Sequence, residues 1–527
     1  MMPSPKRCWR LAAVLTLLVS SSAAEAQQAF DPGQFRSQIR SYRGAQELEI
    51  LRELADLLAI PNVASDRVTI RRNADLVVKM LERRGLKARL LEAGDGPPAV
   101  YGELAAPGAT RTVVFYAHYD GQPVNPSQWA SSPWRPTLRD ARLEDGGREI
   151  AWDDVRPPVP GEWRLYARSA SDDKSPIVAM LVALDALRAS NLPVSVNLKF
   201  FLEGEEEAGS PHLGEMVGKH RDLLEADAWI LGDGPVHQTR RMLVYFGARG
   251  VQGLEITVYG PARALHSGHY GNWAPNPAAM LASLIASMRD SEGRVLMKGF
   301  YDSVRPPTAT ETQAIADAPD VGATLREELA LGPSEGGEER VEEGIIWPAL
   351  NVRGLEAGGV GEHATNSIPP LAQGSIDFRL VPDLTPERVR EITETHVRAQ
   401  GYHVVHSEPD MKTRAAHPRV AWLMWDAGYP AYRTDMDVPA SRAVIRVVQE
   451  MADAPVVRLP TLGGSLPMHY LAGLAPLVGV PIVNHDNGQH APNENLRLQN
   501  LWDGIEVYAA LLARLGPAWD AAGAAGK

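Results

Sequence analysis

Four apolar segments of this sequence end abruptly in residue types that hold divalent cations. Val113-Val114-Phe115-Tyr116-Ala117 runs into His118-Tyr119-Asp120, and Asn197 to Leu202 runs into Glu203-Gly204-Glu205-Glu206-Glu207. Ala228-Trp229-Ile230-Leu231 runs into Gly232-Asp233, and Leu477 to Val483 precedes a polar loop with His485, Asp486 and His490. Each feature alone has an ordinary explanation. An isolated His-x-Asp serves as a surface pair, an acidic run starts a helix where the dipole favours it, and an aspartate after a strand caps a turn. Their recurrence at strand ends changes the reading. Open α/β sheets place their sites outside the carboxyl edge of the strands, and gathering so many carboxylates there is very costly unless cations neutralise them. The single cysteine, Cys8, sits in a leader-like segment, so thiolate sites and disulfides are excluded from a mature chain and any ion must be held by His, Asp and Glu.

The elements that must position these residues are legible in outline. Leu48, Leu51, Leu54, Leu57 and Leu58 have helical spacing and stop at Pro61; a second helix is expected from Ile70 to Leu81, ended by Gly85. Strands are expected at Ala88 to Leu91, Val100 to Leu104, Thr112 to Ala117 and Val194 to Leu202, with a helix after Lys174. The alternation predicts an α/β fold with a mixed, mostly parallel sheet flanked by helices. Near residue 246 the character changes: Gln252 to Tyr259 and Gln373 to Val381 alternate, as antiparallel strands covered on one face do. The expected organisation is a leader over 1–26, a catalytic domain in two parts over 27–245 and 416–527, and an inserted α+β unit over 246–415. Arg305 to Gly344, rich in Pro, Gly, Ala and Glu, is expected to be peripheral, Ser441 to Met451 to be helical, and the tail from Ala518 to Lys527 to be frayed.

A chain of 527 residues is too long for one hydrophobic core. Its 44% hydrophobic and 22% charged residues are ordinary globular values. Lys6, Arg7 and Arg10, the apolar run Leu11 to Val19 and the small residues ending at Ala24-Glu25-Ala26 read as a signal peptide cleaved after Ala26, which predicts a secreted or periplasmic protein. The apolar run is far shorter than the ~20 residues a spanning helix needs, so no membrane association is expected after cleavage. A formal net charge of −12 without any basic run gives no reason to expect nucleic acid as a partner.

Seven strings, FYAHYDGQPV from Phe115, LYARSASDDKSP from Leu165, FLEGEEEAGS from Phe201, ILGDG from Ile230, ALHSGHYG from Ala264, TNSIPP from Thr365 and GQHAPNE from Gly488, stand in a familiar order. Together they resemble the di-zinc metallopeptidase superfamily of carnosinase-type dipeptidases, aminoacylases, glutamate carboxypeptidase and succinyl-diaminopimelate desuccinylase, with the carnosinase-like branch nearest. The resemblance covers nearly the whole mature chain. It implies a zinc-exopeptidase-like catalytic domain with an inserted lid and dimerisation domain, and two divalent ions, zinc first and manganese or cobalt as substitutes. By that resemblance His118 and Asp233 hold one ion, Glu207 and His490 the other, and Asp172 bridges them. Three carboxylates and a bridging hydroxide then balance the four positive charges. Asp120 would orient the His118 ring, Glu206 would be the general base, and Asp172-Asp173 is the candidate for a cis peptide bond. His266 would reach the active site of a partner subunit to stabilise an oxyanion, making a homodimer necessary for activity. Asn366, Arg379, Gly464 and Ser465 would bind substrate, with Arg379 holding a terminal carboxylate. Arg379 has an alternative use as the partner of a neighbouring acid, and His269, Glu494 and His469 as packing or capping groups.

Two departures from the pattern bear on function. The loop before the bridging aspartate carries Ala167, Ser169 and Ser175 where glycines are usual, and Thr461-Leu462 stand where a charged Arg-Glu pair precedes the glycine cradle. The second change points away from a free, charged substrate end and toward an N-acylated or more hydrophobic one. Trp129, Trp134, Trp152 and Trp163 in and beside a long stretch from Gln128 to Glu162 are expected either to wall the substrate cleft or to anchor a loop. The expected activity is hydrolysis of short peptides as a dipeptidase or carboxypeptidase. The alternatives are an N-acyl amino acid amidohydrolase and a non-catalytic metal- or peptide-binding homologue, the last disfavoured by the intact Glu206.

Overall fold

The computed structural model describes residues 30–337 and 340–524. The expected signal peptide, residues 1–26, and the last three residues of the tail lie outside the described residues. Among the described residues, one sheet has eight strands in the order Lys87–Leu91, Ala99–Leu104, Asn197–Glu203, Thr112–His118, Ala228–Leu231, Leu477–Gly479, Leu243–Tyr245 and Val457–Leu459. Its centre, from Asn197–Glu203 to Leu477–Gly479, is parallel, and antiparallel pairs flank it. Along Thr112–His118, Val113, Phe115 and Ala117 enter one half of the core while Val114 and Tyr116 enter the other. Both faces of the strand are therefore covered, which is why the run is apolar without interruption.

Helices Pro32–Leu58, Lys174–Ala189, Pro439–Met451 and Leu498–Ala524 cover one face; Leu213–Lys219 and Met468–Leu471 lie on the other. Lys174–Ala189 is buried on nearly every side because it packs against both Pro32–Leu58 and Leu498–Ala524. The tail does not fray where expected: the last helix runs through residue 518 to Ala524, with Ala518 and Trp519 buried.

A separate sheet has five strands in the order Ala349–Glu356, Leu371–Leu380, Gly250–Tyr259, Val420–Trp425 and His403–Val405. It is antiparallel except for its last pair. Helices Pro277–Met288 and Pro386–Ala399 cover one face, setting Leu281, Leu284 and Ile392 against Leu254, Ile256 and Ile376. Val420–Trp425 pairs with Gly250–Tyr259, so this sheet extends past the boundary expected at residue 416. The segment expected to be peripheral has a structural task. Helix Ala309–Asp317 packs on Val457–Leu459, the edge strand of the larger sheet. It is fixed there by ion pairs of Glu311 with Arg433 at 3.0 Å and of Asp317 with Arg458 at 2.5 Å. Covering an edge in this way hides its unpaired backbone groups.

The long stretch after Gln128 contributes Thr137–Arg139 and Glu149–Ile150 to a small antiparallel sheet with Arg164–Tyr166 and Asn495–Arg497. Its tryptophans anchor that unit. Trp152 donates from Nε1 to the Pro136 carbonyl at 3.1 Å, Trp163 packs on the main core, and the Arg168 guanidinium lies 5.1 Å above the Trp129 ring.

Candidate metal centre

The strand ends meet as the spacing predicts. His118 closes Thr112–His118, Glu206 and Glu207 open the short 3-10 turn Glu206–Ala208 after Asn197–Glu203, and Asp233 follows Ala228–Leu231. All three strands are parallel neighbours, so these side chains emerge at one edge. Asp172 comes from the loop after Arg164–Tyr166, and His490 from the long loop after Leu477–Gly479.

Asp172 is the centre of the constellation. Its Oδ1 lies 2.9 Å from His118 Nε2 and its Oδ2 lies 3.1 Å from His490 Nε2. His490 Nε2 is also 3.0 Å from Glu207 Oε2, and His118 Nε2 is 4.0 Å from Asp233 Oδ2. Two donor sets result, His118 with Glu206 and Asp233, and Asp172 with Glu207 and His490, each with one donor atom per residue within 4.8 Å of the others. The Asp172-Asp173 peptide bond is cis.

Asp120 faces His118 Nδ1 at 3.3 Å, leaving Nε2 toward the cluster. It has a second contact that sequence reasoning missed: its two oxygens accept the backbone N–H groups of Glu206 at 3.1 Å and Glu207 at 3.0 Å. One buried carboxylate thus sets a histidine ring and the acidic turn relative to each other. Gln122 Nε2 donates to Glu207 Oε2 at 2.8 Å, and Gln489 Nε2 to Asp172 Oδ2 at 3.3 Å. Both glutamines stand inside the strings around His118 and His490, so the signal was present but had no chemistry attached to it. Tyr245 donates to the Asp233 carbonyl at 2.8 Å. Its ring fits only because residue 479 is glycine, where an added Cβ would come within 2.0 Å of that ring.

The loop that carries Asp172 is held by Glu494. This wholly buried carboxylate accepts backbone N–H groups from Ser169, Ser171 and Asp172, each at 2.9 Å, and pairs with Arg168 at 2.8 Å. That clamp explains how the loop dispenses with glycines. Of Ala167, Ser169 and Ser175, Ser169 alone has positive φ, at 61°, and its hydroxyl is pinned by Asn62 Nδ2 at 2.9 Å. Glu494→Gln leaves Arg168 buried without a counter-charge and turns an NH2 group toward backbone donors. Breaking a buried pair of this type costs about 3–5 kcal/mol, so the expected result is a loss of that size in denaturant unfolding together with weaker metal retention.

The remaining expected site residues lie on the five-stranded unit and its neighbours. His266 and Asn366 stand together, exposed, on the ribbon formed by Leu265–His266 and Ser367–Ile368. Neither makes a hydrogen bond or ion pair with the cluster among the described residues. Arg379 uses Nε on Asp377 at 2.7 Å and Nη1 on the Ser465 hydroxyl at 3.0 Å. It thus pairs with a neighbouring acid, as one reading expected, and reaches the Gly463–Ser465 segment. His469 stacks on Tyr429 at 5.0 Å, and burial lowers its imidazole to about 4.

The electrostatics test whether cations fit. Burial pushes Glu206 well above the ordinary carboxylate range and, with the adjacent Asp172 charge, pushes Asp233 to about 7. Burial would raise Asp172 too, but its hydrogen bonds to His118 and His490 outweigh that and hold it well below the usual value. Hydrogen bonds to Asp172 and Glu207 raise His490 to about 10. The bare chain thus balances its carboxylates with protons and imidazolium, the task divalent ions would otherwise perform. Ligands about 2.0–2.2 Å from a common cation lie roughly 3–3.5 Å from one another, close to the 3.1 and 3.0 Å that separate His490 Nε2 from Asp172 and from Glu207. Among the described residues, Glu207 Oε1 finds no hydrogen-bond partner although it is buried. The donor set is all oxygen and imidazole, and it fits two hard or borderline divalent ions.

The model of peptidase family M20/M25/M40 matches residues 114–514. The Cys-Gly metallodipeptidase dug1 of Schizosaccharomyces pombe is 26% identical over 491 residues, 89% of this chain and 95% of the relative. The human Beta-Ala-His dipeptidase is 27% identical over 532 residues, 96% of this chain and 97% of its own. Among solved structures, the M20 family metallo-carboxypeptidase Sso-CP2 from Sulfolobus solfataricus superimposes with a TM-score of 0.72 at 27% identity, covering 89% of this chain and 99% of its own.

Proposed function

The chain belongs to peptidase family M20/M25/M40, and from that premise we propose that it hydrolyses the peptide bond of dipeptides or other short peptides, with two zinc ions as cofactors. The observation that carries the reading is Asp172, whose two carboxylate oxygens reach imidazoles from opposite ends of the sequence at 2.9 and 3.1 Å. His118 and Asp233 would hold one ion, Glu207 and His490 the other, and Asp172 both. When bound, the ions supply Lewis acidity toward the scissile carbonyl and toward water. The side chains then have separate tasks. Glu206 takes a proton from the attacking water and returns it to the departing amine. Asp120 keeps His118 Nε2 directed at the centre, and Arg379, Gly464, Ser465 and Asn366 hold the substrate. Because His266 is exposed and apart from the cluster of its own chain, the reading includes a homodimer through the inserted unit, in which His266 of the partner subunit stabilises the oxyanion. Export is part of the same reading, on the strength of the leader composition.

A second reading, an N-acyl amino acid amidohydrolase, is favoured by one specific feature. Where the resembled pattern has a charged pair, Thr461 is buried and Leu462 packs against the apolar cluster that includes Leu243, Tyr245 and Leu459. Turnover of a panel of free and N-acylated dipeptides, with metal analysis of the same preparation, decides between them. Cleavage of free dipeptides is expected, and activity confined to N-blocked substrates would reject the dipeptidase reading.

A further inference from the structure

The acidic turn that presents Glu206 and Glu207 is closed at its neck by two residues that the proposed reaction does not use. Glu205 stands at its start. The Glu205 backbone carbonyl accepts the N–H groups of Ala208 at 3.2 Å and Ser210 at 3.0 Å. Its buried carboxylate accepts the backbone N–H of His212 at 2.8 Å and lies 2.9 Å from His212 Nδ1. The other ring nitrogen, Nε2, is 3.0 Å from Asp95 Oδ1, in the loop that follows Lys87–Leu91. That loop is held in turn by Glu215, which accepts the Gly94 N–H at 3.1 Å. The imidazole fills a slot between two glycines: a Cβ added to Gly94 would come within 2.8 Å of the ring, and one added to Gly96 within 2.6 Å. His212 therefore joins the two ends of the acidic turn and ties them to the edge of the larger sheet.

The closure matters because the turn needs outside support to keep its shape. Its exit places Gly209 and Ser210 both at positive φ, 83° and 53°, and a serine keeps that sparsely populated conformation only where its surroundings enforce it. Asp120 holds the middle of the turn through the N–H groups of residues 206 and 207, and the neck is left to Glu205 and His212. Two carboxylates flanking one imidazole are both satisfied only when each ring nitrogen is a donor, as in the imidazolium. The bond to Glu205 does most to raise His212 above its ordinary value, which agrees with that form. We propose that His212 is a positioning residue of the metal centre, holding the turn from Glu205 to Ser210 in the shape that sets Glu207 against its ion and Glu206 against the attacking water. The inference rests on the peptidase reading for what the turn carries, and adds to it a residue outside both donor sets.

Cobalt(II) is titrated into the metal-free, full-length protein and followed by calorimetry and visible absorption, beside kcat and KM on a free dipeptide. His212→Phe fills the slot between the glycines and donates nothing, whereas His212→Asn keeps an NH2 group close to where Nδ1 stands. Partners of metal ligands contribute about 10–100-fold in affinity or activity, and His212 stands one contact further out. His212→Phe is therefore expected to weaken one cobalt position about 5–10-fold, to leave the other within about twofold, and to change the visible band of the affected ion. Its kcat should fall about 5–10-fold with KM nearly unchanged. His212→Asn is expected to restore affinity and kcat to within about twofold of the unmodified protein. A role confined to stability would lower the melting temperature of both variants and leave cobalt binding untouched, which overturns the proposal. Equal weakening of both positions, or His212→Asn as impaired as His212→Phe, also overturns it. If His212→Phe does not fold, Asp95→Ala carries the test: a loss of about 2–3-fold at one cobalt position is expected, and no loss overturns the proposal. If the unmodified protein cleaves no peptide but one cobalt position weakens as expected, the hydrolase reading fails and the positioning role stands. Cleavage by the unmodified protein with unaltered cobalt binding in His212→Phe removes the role and leaves the hydrolase reading in place.

Discussion

Glu206→Gln is expected to lower kcat by about 10²–10⁴-fold, the usual contribution of a positioned general base, while metal analysis should still find two ions per chain. The substitution keeps the shape of the side chain and removes its capacity to accept a proton. The backbone N–H of residue 206 still bonds Asp120 at 3.1 Å, so the turn that also presents Glu207 should be undisturbed. Burial makes Glu206 more avid for a proton than an exposed carboxylate, the property a base needs when it competes with water. The metal count is the discriminating half of the experiment. Glu206 offers an oxygen within 4.8 Å of donor atoms of both His118 and Asp233, close enough to be a ligand in its own right. Loss of turnover with both ions kept makes it the base, whereas loss of an ion along with turnover makes it a ligand and leaves the proton transfer without an owner.

How much of this is legible in the sequence depends on whether a residue acts through a regular element or through long-range convergence. The strand ends at His118, Glu207 and Asp233 stand out because a buried parallel strand is an unbroken apolar run, and a carboxylate at its end has no apolar excuse. The cis bond at Asp172-Asp173 is anticipated by resemblance alone, since nothing in local composition demands it. Glu494 stands in the string around His490 and is read from the sequence as a packing or capping group near the site, but its clamp is not legible there, because its four partners come from residues 168–172, far away in the chain. The misplacements have a physical origin too. Val420–Trp425 is as apolar as a strand of either sheet, and pattern alone does not say which sheet it joins. The tail reads as frayed because its small residues and Pro517 carry little helical signal, yet Trp519 is buried and stacks under Arg111 at 5.4 Å. Tertiary contact there outweighs weak propensity.

Asp172→Asn should be the most damaging single change at the centre, with turnover falling by more than about 10³-fold and both ions lost on dialysis. Removing an outer partner of a metal ligand costs 10–100-fold in affinity or activity, and Asp172 is placed to serve two ions directly, so its loss is felt at both. The amide has one acceptor oxygen where the carboxylate has two, and its NH2 group would face either His118 or His490, which stand 2.9 and 3.1 Å from the two carboxylate oxygens. It also removes one of the three negative charges proposed to balance the pair. The fold should survive, because Glu494 grips the backbone N–H of residue 172 and not its side chain. His490→Ala provides the contrast: among the described residues that imidazole pairs with Asp172 and Glu207, so its removal should empty one position and leave about one ion per chain. If Asp172→Asn also retains one ion, the aspartate serves a single cation, and the two donor sets are neighbours without a shared ligand.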